Sequence, residues 1–85
     1  MRKPKLATSI SLGDGFKVNK VSYDYSAQLL GVAGSEGVRV FAHKSWDELA
    51  RFEEGGETVD LKFTGEAKEI WGASGRDVRI WGLPA

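Results

Sequence analysis

The stretch Leu29-Leu30-Gly31-Val32-Ala33-Gly34-Ser35-Glu36-Gly37-Val38-Arg39-Val40-Phe41 decides the fold. Leu29 to Ala33 is apolar on both faces, the pattern of a central strand covered on two sides. Gly34-Ser35-Glu36-Gly37 makes a tight hairpin, and Val38-Arg39-Val40-Phe41 is the returning strand. Forty residues later, and without a gap, Val78-Arg79-Ile80-Trp81 restates that returning strand.

The correspondence extends outward. Val21 falls on Leu61, Tyr23 on Phe63, Leu30 on Ile70, Ala33 on Ala73 and Leu12 on Phe52. The first repeat, residues 5–44, opens with a strand from Leu6 to Leu12, where Leu6, Thr8, Ile10 and Leu12 alternate until Gly13-Asp14-Gly15 stops them. A strand from Val18 to Asp24 follows, then a turn at Ser26-Ala27, then the hairpin. The second repeat, residues 45–84, carries strands at Thr58 to Phe63, Glu69 to Ser74 and Val78 to Leu83. Its opening, Ser45 to Phe52, reads two ways. Ser45 with Glu48 is a capping box, and Trp46, Leu49, Ala50 and Phe52 have partly helical spacing. The repeat, however, puts these residues in the place of the Leu6–Leu12 strand. Strand is preferred, because consistency across the chain outweighs propensity in so short a window, with a helical turn at Ser45–Glu48 left open before it. A period of about 40 residues with several short strands in each is the signature of β-propeller blades. The expected fold is all-β: eight short antiparallel strands in two repeats, one partial propeller over residues 1–85.

Composition narrows the function. Twelve basic residues balance 12 acidic ones, so nothing electrostatic draws the chain to nucleic acid or to a membrane. No apolar run approaches the ~20 residues of a membrane span, and no signal peptide is visible. The basic residues Arg2, Lys3 and Lys5 read as a linker into the first strand. There are no cysteines, and the one histidine, His43, cannot build a metal site alone. A soluble intracellular protein with no cofactor is expected. Glu53, Glu54, Glu57 and Asp60 lack the ordered spacing of a calcium loop and read as a solvated turn. Gly31, Gly34 and Gly37 recur at intervals of three, but a β-pattern follows them where a phosphate loop needs a helix. No base and orienting acid accompany His43, which reads as exposed in a connection. No catalytic residue is assigned, and none for a metal or cofactor.

Phe41-Ala42 and Trp81-Gly82 sit where WD repeats place their Trp-Asp pair, and Gly13-Asp14-Gly15-Phe16 and Gly55-Gly56-Glu57 sit near the usual Gly-His. The chain resembles WD-repeat propellers. More specifically, Lys44-Ser45-Trp46-Asp47-Glu48-Leu49-Ala50-Arg51-Phe52, the short hairpin before Val38 and Gly75-Arg76-Asp77-Val78-Arg79-Ile80-Trp81 resemble the last two repeats of the pre-mRNA-processing factor nineteen family, the spliceosomal U-box ubiquitin ligases. Both Gly-His histidines are absent, and Ala42 and Gly82 replace the Asp of Trp-Asp. Ser74, Asp77 and Trp81 remain as a partial hydrogen-bond network.

The resemblance implies that the first strand of each repeat is the outer strand of the preceding blade, which leaves Leu6–Leu12 and Val78–Leu83 as unpaired edges. It also implies a noncatalytic, nuclear, protein-binding module in pre-mRNA splicing, without the ligase's U-box. Its partners would be other proteins and either the remaining blades of a propeller or further copies of itself, not nucleic acid and not membrane. Docking would fall on a rim built from Asp14, Phe16, Ser35, Glu36, Glu54, Glu57, Arg76 and Asp77. Phe41, Phe63 and Trp81 are expected between blades. The alternative is a self-assembling structural unit completed by homo-oligomerisation.

Overall fold

The computed structural model describes residues 5–53, 56–75 and 77–83. Seven strands form two antiparallel sheets. The first sheet takes β1 (Val18–Asp24), β2 (Leu29–Gly34), β3 (Gly37–Ala42) and β4 (Glu48–Phe52) in chain order. The second takes β5 (Asp60–Phe63), β6 (Glu69–Ser74) and β7 (Asp77–Gly82), with a short 3₁₀ turn at Gly65–Ala67 between β5 and β6.

Local chemistry fixes each reversal. Between β1 and β2, the Asp24 carboxylate accepts from the Ser26 hydroxyl at 2.7 Å and the Ala27 amide at 2.8 Å, an Asx-type turn. At the β2–β3 hairpin Gly37 has φ +102°, and a Cβ there would collide with the Phe52 carbonyl of β4. Only glycine meets both conditions.

The ambiguous stretch is a strand. β4 pairs with β3 through Val38–Phe52, Arg39–Arg51 and Val40–Ala50, so the opening of the second sequence repeat completes the first sheet. No helical turn spans Ser45–Glu48: Trp46 has φ +57°, and Glu48 turns its carboxylate to Arg51 at 3.1 Å instead of back to the Ser45 amide. A single α-turn closes just ahead of that stretch, where the Trp46 amide donates to the Ala42 carbonyl at 2.9 Å.

The predicted strand from Leu6 to Leu12 is not formed. Residues 5–13 have no ladder partner among the described residues, which hold seven strands and not eight. The reason is physical: an isolated segment has no neighbour to take its backbone hydrogen bonds. Its end is tied by Arg39, whose Nη1 donates to the Leu12 carbonyl at 2.7 Å. The other sequence-derived bounds move by one to three residues, β4 beginning at Glu48, β5 at Asp60 and β7 at Asp77.

The core lies between the sheets. Ala33, Val38 and Val40 share one face of the first sheet; they pack with Leu61, Phe63, Ile70 and Ala67 of the second repeat. Each fully buried aliphatic side chain of this kind contributes roughly 1.5–3 kcal/mol. Phe52 stacks on Trp81 with ring centroids 5.2 Å apart. Gly31 sets the spacing. A Cβ at that position would stand 2.9 Å from Leu61 Cδ1 and 3.0 Å from Phe63 Cζ, so its absence lets the sheets close. Phe63 and Trp81 thus lie between the sheets as expected. Phe41 is buried as well, but its register with Leu30 puts it on the opposite face of the first sheet.

Candidate functional site

Three hydrogen-bonded links draw the turns into one rim. In the first, the Ser35 hydroxyl accepts from the Lys17 amide at 2.8 Å and donates to the Gly15 carbonyl at 3.1 Å, which ties the Gly13–Phe16 turn to the first hairpin. In the second, the Thr58 amide donates to the Gly34 carbonyl at 2.8 Å. In the third, the Ser74 hydroxyl donates to the Glu57 carbonyl. Asp14, Phe16, Ser35, Glu36, Glu57 and Asp77 therefore belong to one edge of the molecule. Glu54 and Arg76, expected on the same rim, lie outside the described residues.

A β-bulge joins the two halves of that rim. Val18 pairs with Gly34 and Lys20 with Ala33, which leaves Asn19 as the extra residue in β1. Its side-chain Nδ2 donates to Glu57 Oε2 at 3.1 Å and to the Thr58 carbonyl at 3.0 Å. Sequence patterning gave no hint of this. The only signal for it is an asparagine inside an otherwise strand-forming run.

Arg39 is the electrostatic centre of the first half. It is 8% exposed and stands 4.6 Å over the Phe16 ring, with Glu36 at 3.8 Å and Glu48 at 3.9 Å. Strand alternation marks Arg39 as one charged residue among apolar ones; its burial follows from the segment folded over it. Glu48 also raises the pKa of the Arg51 guanidinium, by hydrogen bonding first and by charge second. The partial network expected of Ser74, Asp77 and Trp81 is not made: Ser74 bonds to Glu57, and Asp77 pairs with Arg79 at 3.4 Å.

His43 is half-buried and not exposed as the sequence suggested. Its ring lies 5.7 Å from Tyr23 and 5.3 Å from Trp46, edge to face, and its Nδ1 is enclosed without a hydrogen-bond partner among the described residues. A feature missed by the sequence reading is the outer face of the second sheet. Val78 is 66% exposed, Ile80 54% and Trp71 42%, beside a shallow depression lined by Asp60, Lys62 and Ala73. Among the described residues no helix is long and apolar enough to cross a membrane, and no three metal-ligating side chains converge.

The rim offers hydrogen-bonding and charged groups on a rigid edge. Of its carboxylates, Glu57 accepts from Asn19, Glu36 stands 3.8 Å from Arg39, and Asp77 pairs with Arg79. Compared with known protein families, characterised proteins and solved structures, the chain matches none.

Proposed function

We propose that this chain is a noncatalytic protein-interaction module, two blades of a WD-repeat-like propeller that docks partner proteins on its rim of turns. The observation that carries the reading is the rim itself: three hydrogen-bonded links and the Asn19 bulge hold turns from both repeats on one edge. Binding residues carried on loops above a rigid sheet scaffold are a common way to build a docking surface. The motif resemblance at Lys44–Phe52 and Gly75–Trp81 directs the search for partners to pre-mRNA splicing complexes in the nucleus, where the ligase family acts as a scaffold.

Proximity labelling in nuclei tests this, with the native chain compared against a Glu36→Lys/Glu57→Lys variant. Splicing proteins should be labelled by the native chain, and at least about tenfold less by the variant, the size expected from reversing charges at a docking surface. Equal labelling by both, or turnover of a substrate by the purified chain, removes the proposal.

A further inference from the structure

The two sheets meet by a rule that the outer surfaces can repeat. At the internal contact, the face carrying Gly31, Ala33, Val38 and Val40 covers the opposite type of face, carrying Leu61, Phe63, Ile70 and Trp81. Moved forty residues along the sequence, the first set becomes Trp71, Ala73, Val78 and Ile80, the exposed outer face of the second sheet. Moved forty residues back, the second set becomes Val21, Tyr23, Leu30 and Phe41 on the far face of the first sheet, where Val21 is exposed, Tyr23 and Leu30 are half-buried and Phe41 is already buried. One molecule therefore carries both halves of its own internal contact, on opposite sides.

The sheet edges repeat the same rule. β4 is the fourth strand of the first sheet, and its counterpart in the first repeat is Leu6–Leu12, which has no ladder partner. The second sheet ends at β7, the counterpart of β3, and has no fourth strand among the described residues. We infer that a second copy of this chain supplies it: Leu6–Leu12 of one copy adds antiparallel to β7 of the next, and the first sheet of that copy covers Trp71, Val78 and Ile80.

The register follows from the β3–β4 ladder. Val38–Phe52, Arg39–Arg51, Val40–Ala50 and Phe41–Glu48 translate to Val78–Leu12, Arg79–Ser11, Ile80–Ile10 and Trp81–Thr8 across the copies. At one place the new contact differs from the old. Trp71 stands where Gly31 stood, facing Val21 and Tyr23 in place of Leu61 and Phe63, so the copies sit farther apart there by the thickness of an indole. The contact is heterologous, and a closed ring of copies leaves no open edge. The paired residues Thr8–Leu12 and Val78–Trp81 and the covered Trp71 are not rim residues, although β7 begins at the rim residue Asp77, and the contact stands or falls separately from the docking rim.

The chain has no cysteine, so paired cysteines report the register without background. Directly opposed strand residues lie about 4.5–5.5 Å apart, within disulfide reach. Native light scattering of the unmodified chain should give a discrete closed oligomer. Oxidised Ile10→Cys/Ile80→Cys should form an inter-copy ladder on a denaturing gel, at least about fivefold more than Ile10→Cys/Arg79→Cys, whose side chains leave opposite faces of the sheet. Ile80→Lys changes a side chain outside the internal core and should dissociate the oligomer while the far-ultraviolet dichroism of the sheets persists. A monomer at every concentration, an intrachain cross-link only, or equal ladders from both cysteine pairs would overturn the inference.

Discussion

The face bearing Val38 and Val40 and the face bearing Val78 and Ile80 come from the same four-residue pattern, yet they meet opposite fates. Val38 and Val40 are 0% and 1% exposed, whereas Val78 and Ile80 are 66% and 54% exposed. Side-chain chemistry is nearly the same at the two places; what differs is whether a following sheet stands against them. Burial in a repeat architecture is a property of the neighbour as much as of the residue, since each repeat unit contacts only those beside it.

The strongest attempt to break the comparison is a matched pair of truncations. Ile70→Ala, at a fully buried position, should cost about 2–5 kcal/mol. Ile80→Ala should stay within about 0.5 kcal/mol at protein concentrations low enough to hold the chain monomeric, as for other surface substitutions, and cost more where the inferred ring assembles. Urea unfolding followed by tryptophan fluorescence reads both, and equal losses in the monomer would mean that the second sheet's outer face is covered within a single copy.

A smaller effect separates the two repeat-related arginines. Arg39→Ala removes the donor to the Leu12 carbonyl and the cation beside Glu36, while Glu48 keeps Arg51, a loss of about 2–3 kcal/mol. Among the described residues Arg79 pairs with Asp77 at a more exposed site, and its replacement by alanine should cost about 1 kcal/mol or less. Amide exchange around Leu12 should accelerate in the first variant alone.

Smallest is the seam between the sheets. Asn19→Ala deletes two hydrogen bonds that cross from β1 to the residues leading into β5, at a cost of about 0.5–1.5 kcal/mol. Nuclear magnetic resonance should show shifts at Glu57 and Thr58 while the β2–β3 ladder is unaffected. Shifts confined to β1 would mean that the bulge serves its own sheet.

Much of this fold was legible because β-pairing leaves period-two patterns and glycine-bounded turns at a constant spacing. Leu29–Phe41 and Glu69–Trp81 were read as hairpins from those marks alone, and the repeat correctly overruled the helical spacing of Ser45–Phe52. The same spacing misled at Leu6–Leu12, where an alternating pattern met no neighbour to pair with. The rim's turns were legible as glycine-rich breaks. The features that bind them were not: a bulge at Asn19 depends on register, and the enclosure of Arg39 and His43 depends on what folds across them. Neither register nor tertiary cover is written in a local window.

β4 lies in the second sequence repeat but completes the first sheet, and this bears on how such a chain can be inherited. Genetic exchange that cut between Lys44 and Ser45, at the boundary of the repeats, would deliver a three-stranded sheet without its outer strand and an outer strand without its sheet. Neither recombinant would fold as a finished unit. Each duplication would instead be stitched to its predecessor by the strand it lends, so lineages could add or lose repeats only in ways that keep every loan repaid by the next segment along.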